Sequence, residues 1–298
     1  MNLSPIVLFT YNRLKETSST IAALRKNDLA LSSELIIFSD AAKVGDDTKD
    51  VYNIRQYLKT VDGFKRVTVI ERDVNYGLAK SIIFGVTEVI KKYGKVIILE
   101  DDLITSPNFL SFMNQGLDFY ECNSKVWSVS GFSFPIKYSD GYDFDATFGV
   151  RASSWGWATW IDRWDKVDWD VSDYDVFIKD RQKQKKFNSG GSDLCKMLND
   201  QMTGKINSWA IRFCYAQFKH DAFDVFPKIS KVKNIGFSSE ATHTAGMGSR
   251  FDTILDETEV VDFNFPDKTF IESKVLRQFQ KPFSITTRIK YKLLGYLK

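Results

Sequence analysis

Short apolar runs alternate with amphipathic stretches through the first half of the chain. The runs are rich in Ile, Val, Leu and Phe and are typical of buried strands; they span residues 5–10, 34–39, 66–71, 95–100 and 126–130. Between them, apolar side chains recur at helical spacing, for example at Val51, Ile54 and Leu58. This alternation predicts an α/β fold with a mostly parallel sheet flanked by helices.

Polar side chains follow four of these strands, at the point where each strand ends. Because ligands in such sheets bind beyond the carboxyl ends of the strands, we expect a binding site there. We also expect Asn12 to cap the first helix. The polar residues at these ends are Thr10, Tyr11, Asn12 and Arg13; Ser39 and Asp40; Asp73 and Asn75; and Glu100, Asp101 and Asp102.

The triplet Glu100-Asp101-Asp102 carries the clearest chemical signal in the sequence. Three adjacent carboxylates repel one another, so either a positive group or water must compensate their charge. Mg²⁺ and Mn²⁺ prefer oxygen ligands and commonly bridge one or two carboxylates to the phosphates of a substrate. We interpret the triplet as a site for a metal ion and a diphosphate; a solvated acidic turn is the alternative.

Composition narrows the class of protein. The chain has 298 residues, of which 43% are hydrophobic and 27% charged, and its formal net charge is +3. These values suit an ordinary globular protein and give no support for nucleic-acid binding. The three cysteines show no paired spacing, which argues against a disulfide framework or a zinc site. The N-terminus does not show a basic stretch followed by a long apolar run, and we therefore expect a cytoplasmic protein.

Two common nucleotide-binding motifs are missing from the sequence. No GxGxxG follows the first strand, and no GxxxxGK[ST] occurs anywhere. Their absence weakens a dinucleotide-binding fold and a P-loop nucleotide hydrolase.

The pattern changes after Gly131, where aromatic clusters and polar loops interrupt the alternation of strands and helices. Trp155, Trp157 and Trp160 crowd around a glycine; indoles in such a cluster stack on sugars or form a local aromatic core. His243 lies in a polar loop, where an imidazole is a ligand or proton carrier unless it is simply solvated. The sequence also predicts helices over 193–202 and from 207 onwards, and a strand over 225–232.

The final stretch, residues 286–298, mixes cationic residues with Ile, Leu and Tyr. Such a composition is typical of a short amphipathic helix that lies on an anionic membrane surface. A frayed basic tail is the alternative.

The motifs in this order resemble the family-2-type glycosyltransferases with the GT-A fold. Residues 5–13 resemble the opening of these enzymes, and Ser39-Asp40 matches the place where they hold the nucleoside. Asn75-Tyr76-Gly77 resembles their Asn-x-Gly turn. Glu100-Asp101-Asp102 is similar to their metal motif, in the form seen in N-acetylglucosaminyltransferase I. The resemblance covers the first half of the chain well and continues more loosely to His243.

The resemblance implies roles for individual residues on the donor side. Thr10, Tyr11, Arg13 and Asp40 would hold the base and ribose, and Asn75 and Gly77 would form the adjoining turn. Asp102 would ligate Mn²⁺ or Mg²⁺, Asp101 would lie near the ribose or the metal, and Glu100 near the donor sugar. His243 would be a second metal ligand or a diphosphate contact.

On the acceptor side, Trp155, Trp157, Trp209 and Arg212 would frame the sugar and acceptor. An inverting enzyme also needs a carboxylate that deprotonates the acceptor hydroxyl. The N-acetylglucosaminyltransferase I pattern has an Asp just before the late Trp, whereas this chain has Asn207-Ser208-Trp209. The base is therefore expected at Asp193 or at another nearby carboxylate such as Asp200.

The leading hypothesis is a metal-dependent hexosyl- or N-acetylhexosaminyltransferase that takes its sugar from a UDP-sugar and gives it to a saccharide or glycolipid. A nucleotidyltransferase and a carbohydrate-binding protein on the same scaffold are the alternatives. The expected organisation is a nucleotide-sugar-binding half at 1–131, an acceptor-binding and catalytic half of the same domain at 132–250, and a C-terminal extension at 251–298 that contacts the membrane. Family analogy points to polysaccharide biosynthesis at the inner face of the membrane.

Overall fold

A large β-sheet organises the computed structural model, which describes residues 3–43, 48–236 and 248–296. The strands of the described residues are β1 (Ile6–Thr10), β2 (Glu34–Ser39), β3 (Arg66–Glu71), β4 (Lys95–Glu100), β5 (Leu103–Thr105), β6 (Val126–Ser130), β7 (Ala146–Gly149), β8 (Trp157–Trp160), β9 (Phe223–Pro227) and β10 (Val232–Asn234).

Helices connect and cover these strands. In the described residues they are α1 (Leu14–Arg25), α2 (Thr48–Leu58), α3 (Gly77–Tyr93), α4 (Phe109–Phe119), α5 (Ile161–Trp164), α6 (Tyr174–Phe177), α7 (Arg181–Phe187), α8 (Leu194–Met202), α9 (Trp209–Lys219), α10 (Ser273–Gln280) and α11 (Ile285–Tyr296). Short 3₁₀ turns lie at Ala30–Ser32, Asn188–Gly190, Gly248–Phe251 and Lys281–Phe283.

The strands form an eight-stranded sheet in the order β3-β2-β1-β4-β8-β6-β9-β7, and β5 pairs with β10 in a separate two-stranded sheet. The first four strands are parallel to one another, β8 is antiparallel to both of its neighbours, and β7 is antiparallel to β9. The carboxyl ends of β1, β2, β3 and β4 therefore meet at one edge. The predicted α/β class with a mostly parallel sheet is confirmed.

Both faces of the sheet are covered, as the continuous apolar strands require. Along β1, Ile6 and Leu8 belong to one buried cluster, whereas Val7 and Phe9 belong to the other. The first cluster includes the apolar faces of α1, α2 and α4, and the second includes those of α3 and α9. Buried side chains of these clusters fix the strand ends, and hence the polar residues that follow them.

Most element boundaries match the sequence prediction; one helix start and one strand differ. Helix α1 begins at Leu14, so Arg13 and not Asn12 occupies the capping position, and its side chain makes no capping hydrogen bond. The predicted strand over 225–232 is divided into β9 and β10, which pair with different strands: β9 with β6 and β7, and β10 with β5. Between β9 and β10 the Lys231 ammonium is buried against Asp256, and the Lys231 N–H donates to Gly131 O at 2.7 Å.

The sheet runs through both of the predicted halves, since β7, β8 and β9 lie beyond residue 131 and join the same sheet as β1 to β4. Residues after 251 also pack against it, with Phe265, Val275 and Phe279 buried in the first cluster. One buried cluster thus includes residues of all three predicted segments, and the division at 131 and 250 stays a prediction. None of the helices in the described residues has the length and apolar content that crossing a membrane requires.

Trp157 and Trp209 belong to the core, which corrects the prediction that they frame a sugar. Their rings stack with centroids 4.8 Å apart, and they are 1% and 4% exposed. Trp164 and Phe213 close the group from two further sides. Their faces are used by one another, so no ring surface is left for a ligand.

Asp224 is the buried carboxyl group of β9. Its side chain has no exposed surface, and the hydroxyl of Ser128 donates a hydrogen bond to it. Burial raises the pKa of Asp224 from 3.8 to about 7, although hydrogen bonds from Ser128 and the Ser153 backbone oppose the shift. The folded protein therefore binds more protons at this site than the unfolded chain does between these two values.

Replacement of Asp224 by Asn is expected to remove a pH dependence of stability. In the wild type, Asp224 ionises in the unfolded chain but stays protonated in the fold as pH rises from about 4 to about 7, so stability falls by at most about 1.4 kcal/mol per pH unit. Thermal unfolding at pH 5, 6, 7 and 8 measures this: the melting temperature of Asp224→Asn should gain on the wild type as pH rises. The exposed Asp175→Asn serves as control, and parallel pH profiles for Asp224→Asn and the wild type would contradict the assignment.

Candidate active site at the carboxyl edge of the sheet

Arg13 joins the ends of the two central strands. It follows β1, and Asp101 and Asp102 follow β4, the neighbouring strand. The Arg13 guanidinium pairs with Asp101 through Nη2, and its Nη1 lies 3.1 Å from Asp102 Oδ2. Both carboxylates are buried, and Arg13 is about three-quarters buried. The predicted donor-side residues Arg13, Asp101 and Asp102 thus meet in one cluster.

The carboxyl groups of this cluster outnumber its cation. Burial, together with the Asp102 and Asp101 carboxylates, raises the pKa of Glu100 to about 8. Burial also raises the pKa of Asp101 to about 6, although Arg13 opposes the shift. The pKa of Asp102 is raised for the same reason. One guanidinium therefore does not compensate three carboxyl groups, two of them buried, and a further positive charge would be stabilised here.

The carboxylate oxygens of the cluster fit a hard divalent cation, which commonly takes one or two protein carboxylates and completes its shell with phosphate oxygens and water. Among the residues that the structure describes, no group of three His, Cys, Asp or Glu side chains is arranged to hold a metal ion by itself. Substrate oxygens would therefore have to supply further ligands. His243, the predicted second ligand, lies outside the described residues.

The segment after β10 closes over Asp102, which the sequence did not indicate. Asn234 Nδ2 donates to Asp102 Oδ1 at 3.3 Å, and the Ile235 N–H donates to the Asp102 carbonyl at 2.8 Å. At Gly236 the backbone passes so close that an added Cβ would lie 2.1 Å from Asp102 Oδ2. No local sequence signal reveals this contact, because it depends on the antiparallel pairing of β10 with β5.

Asp40 ties the end of β2 to the start of α3. Its Oδ1 accepts the Tyr76 N–H at 2.9 Å, and its Oδ2 accepts the Gly77 N–H at 2.9 Å. Asn75 Nδ2 donates to the Ala41 carbonyl at 2.6 Å and closes the same turn. A carboxylate is favourable at a helix N-terminus, so Asp40 positions this edge of the site. Its predicted contact with the nucleoside stays a prediction.

Thr10 is the last residue of β1, and Tyr11 follows it. The buried Thr10 carbonyl accepts the Asp40 N–H at 3.1 Å, and the Tyr11 hydroxyl accepts the Lys43 N–H at 3.2 Å. The Thr10 and Asp40 backbones are thus held side by side at the strand ends. Their predicted role in holding a base and ribose stays a prediction.

Arg72 is a second cation at this edge that the sequence analysis did not single out. Its guanidinium lies 4.8 Å from the Phe38 ring centroid and 5.2 Å from that of Tyr76, and it forms an ion pair of 3.7 Å with Glu88. Arg72 directly follows β3, whereas Arg13 lies three residues after the end of β1. The position of a cation immediately after a parallel strand was the signal that could have identified it.

A cavity of about 450 Å³ lies in the second half of the chain. Aromatic side chains form much of its wall, namely Phe132, Phe134, Trp155, Phe226, Phe251, Phe279 and Phe283. Trp155 packs edge-on against Phe132, with ring centroids 4.7 Å apart, and against Phe251 at 5.6 Å. Of the predicted tryptophans, Trp155 therefore borders space that a ligand can enter.

Asp193 lines the cavity in a two-point ion pair. Arg151 Nη1 lies 2.7 Å from Asp193 Oδ1, and Arg151 Nη2 lies 3.2 Å from Oδ2. The Arg151 guanidinium also lies 3.8 Å from the ring centroid of Phe283. The pair places a carboxylate in a wall that combines apolar side chains with the further cationic residues Lys196, Arg250 and Arg288.

Asp200 and Arg212 lie apart from this cavity wall among the described residues. Asp200 pairs with Lys196 and lies 4.0 Å from Lys205, and the Lys196 ammonium lowers the pKa of Asp200. Arg212 donates to the Trp169 carbonyl at 3.0 Å and to the Ser208 carbonyl at 3.1 Å. Arg212 therefore stabilises the start of α9, and its role as an acceptor contact stays a prediction.

Strand β10 connects the cavity with the acidic triplet. Its last residue, Asn234, binds Asp102, whereas its first residue, Val232, lies against Gly156, the neighbour of Trp155. A Cβ at Gly156 would come 2.8 Å from Val232 Cγ1. The two parts of the candidate site are thus held by opposite ends of one short strand.

Comparison with solved structures finds similarity to glycosyltransferases. The solved mannosyltransferase PcManGT from Pyrobaculum calidifontis, in complex with GDP-Man and Mn²⁺, is 14% identical with a TM-score of 0.37, over 53% of this chain and 44% of that one. TarS of S. aureus is 10% identical with a TM-score of 0.41, over 79% of this chain and 37% of that one. The TarS 1–349 structure is 10% identical with a TM-score of 0.42, over 79% of this chain and 61% of that one.

This chain therefore spans less than two thirds of the length of each of these structures. A search of curated proteins gave no match. Residues 6–124 match the family model described as glycosyl transferase family 2. The part of the chain that carries Arg13, Asp40 and the acidic triplet is thus the part that is similar to this glycosyltransferase family, which supports a glycosyl-transfer function.

Proposed function

We propose that this protein is a glycosyltransferase that depends on a divalent metal ion and moves a sugar from a nucleotide-diphosphate sugar to a saccharide or lipid-linked acceptor. The observation that carries the proposal is the buried cluster of Arg13, Asp101 and Asp102 at the carboxyl edge of the sheet. This cluster lies within the residues that match glycosyl transferase family 2. A UDP-sugar is the donor proposed for the first test, and a GDP-sugar is the alternative donor.

The donor side would use the ends of the four parallel strands. Thr10, Tyr11 and Asp40 would flank the base and ribose, and Arg13 would remain beside the diphosphate. Asp102 and Asp101 would hold Mn²⁺ or Mg²⁺, which when bound would neutralise the departing nucleoside diphosphate. Because Asn234 and Gly236 enclose Asp102 on its other side, the carboxylate is held in a fixed orientation for this role.

The acceptor would occupy the cavity that Trp155 borders. Asp193 is the carboxylate of its wall, so we propose Asp193 as the base that takes the proton from the acceptor hydroxyl, with inversion at the anomeric carbon. Arg151 orients the Asp193 carboxylate through its two-point contact. Asp200, the other predicted candidate, faces Lys196 and Lys205 instead.

Two alternative functions rest on other observations. The neutral Asn207-Ser208 pair favours a carbohydrate-binding protein without catalysis; in the structure the Ser208 Oγ accepts the Ile211 N–H and caps α9. A nucleotidyltransferase usually has a glycine-rich basic loop after its first strand, and this chain has Tyr11-Asn12-Arg13 there.

Calorimetric titration with UDP and GDP, each with and without Mn²⁺, tests the proposal. We expect one nucleotide to bind in the presence of Mn²⁺ and to bind at least tenfold more weakly without it. Asp102→Asn should lose the effect of Mn²⁺ and keep its melting temperature within a few degrees, whereas the exposed control Asp175→Asn should behave as the wild type. Failure of both nucleotides to bind in Mn²⁺ would reject the proposal.

Donor hydrolysis and transfer assays separate the two candidate bases. Asp193→Asn should keep the nucleotide affinity of the wild type but reduce the rate of transfer by about 10²- to 10⁴-fold, as expected for loss of a general base. Asp200→Asn, on the neighbouring part of α8, is the matched control and should retain the wild-type rate. If the rate fell only in Asp200→Asn, the assignment of Asp193 would be wrong.

A further inference from the structure

The C-terminal helix α11 presents an apolar stripe that the other described residues do not cover. Ile285, Ile289 and Leu293 are 61%, 54% and 58% exposed. At about 100° per residue, Ile289 and Leu293 lie about 40° and 80° around the helix axis from Ile285, so the three form one continuous stripe. Side chains of this size are normally buried, and a contiguous exposed stripe marks an interaction surface.

Lysines border this stripe on both sides. By the same geometry, Lys292 lies about 20° before Ile285 and Lys290 about 60° beyond Leu293, and both side chains are exposed. Long lysine side chains at the borders of an apolar face can keep their ammonium groups in a polar interface while the apolar side chains enter a hydrocarbon layer.

The opposite face of α11 anchors the helix to the protein body. Arg288 lines the cavity, and Thr287 and Tyr291 are half-buried on the same side. At the start of the helix, Ser284 Oγ accepts the Thr287 N–H at 3.2 Å. The preceding turn is fixed because the Ser192 hydroxyl donates to the Phe283 carbonyl at 2.7 Å. The stripe is therefore held on the outer side of the helix.

The charge of this region selects the partner. Residues 273–298 contain no Asp or Glu, whereas the whole chain has a net charge of only +3, so the remainder carries an acidic excess. The same charge disfavours pairing of two copies through this face, since their lysines would repel each other. The basic residues of the region are Lys274, Arg277, Lys281, Arg288, Lys290, Lys292 and Lys298.

We propose that α11 binds the surface of an anionic lipid membrane through Ile285, Ile289 and Leu293, with Lys290 and Lys292 at the lipid headgroups. The helix lies in the plane of the membrane surface and does not cross it. Because Phe283 and Arg288 belong to both this region and the cavity wall, binding brings the proposed acceptor cavity to the membrane. This placement rests on the proposed function and favours an acceptor that is itself anchored in lipid.

Co-sedimentation of the full chain with vesicles tests the proposal. The wild type should bind vesicles that contain phosphatidylglycerol and phosphatidylcholine and bind pure phosphatidylcholine at least tenfold more weakly. The double variant Ile289→Ser with Leu293→Ser should bind the anionic vesicles at least tenfold more weakly than the wild type. Lys290→Gln with Lys292→Gln should lose most of the preference for anionic vesicles.

Matched controls lie elsewhere on the surface. Val176→Ser with Ile254→Ser replaces side chains that are 66% and 67% exposed, and Lys183→Gln with Lys185→Gln removes two exposed lysines of α7. Both should bind vesicles as the wild type does. The emission of Leu293→Trp, measured as a difference from the wild type, should shift to shorter wavelength on anionic vesicles.

The proposal is overturned if the wild type ignores anionic vesicles, or if the Ile289→Ser, Leu293→Ser variant binds them as tightly as the wild type. It is also overturned if these substitutions instead abolish a dimer seen by sedimentation without lipid. Nucleotide titration of the same variants keeps this result distinct from the proposed function, because α11 makes no contribution to the cluster of Arg13, Asp101 and Asp102.

Discussion

The ion pairs of Arg13 with Asp101 and Asp102 are the interaction on which the account of this protein depends. They join the ends of the two central parallel strands, β1 and β4, and place buried like charges beside a single cation. Such an arrangement would be costly without compensation, because burial raises the pKa of each carboxyl group in the triplet. Charge balance improves when a divalent cation enters together with a diphosphate.

The rest of the fold supports this cluster from two directions. On the donor side, Asp40 fixes the start of α3 through backbone hydrogen bonds, and so sets the edge against which a nucleoside would lie. On the other side, Asn234 of β10 binds Asp102, and Val232 of β10 lies against Gly156, the neighbour of Trp155 in the cavity wall. Strand β10 thus lies between the proposed donor and acceptor sites.

Sequence periodicity was sufficient for the sheet because β1, β2 and β4 are short runs that are apolar on both faces. The polar residues after these strands could be located as well, since parallel strands bring their carboxyl ends to one edge. The interpretation of the tryptophans could not be settled in this way. A tryptophan in the sequence is equally compatible with a sugar site and with a core. Only the tertiary packing of Trp157 on Trp209 shows that these two belong to the core. The contacts of Gly236 and the cavity around Asp193 likewise depend on segments that are distant in the sequence.

The most direct measurement of the central claim is a crystal structure of the protein with UDP and Mn²⁺, with anomalous diffraction data collected at the manganese absorption edge. The account predicts one strong anomalous peak within bonding distance of the Asp102 carboxylate, with the diphosphate oxygens on the same ion. A nucleotide whose phosphates lie away from Asp101 and Asp102, or a manganese ion held by other side chains, would contradict it.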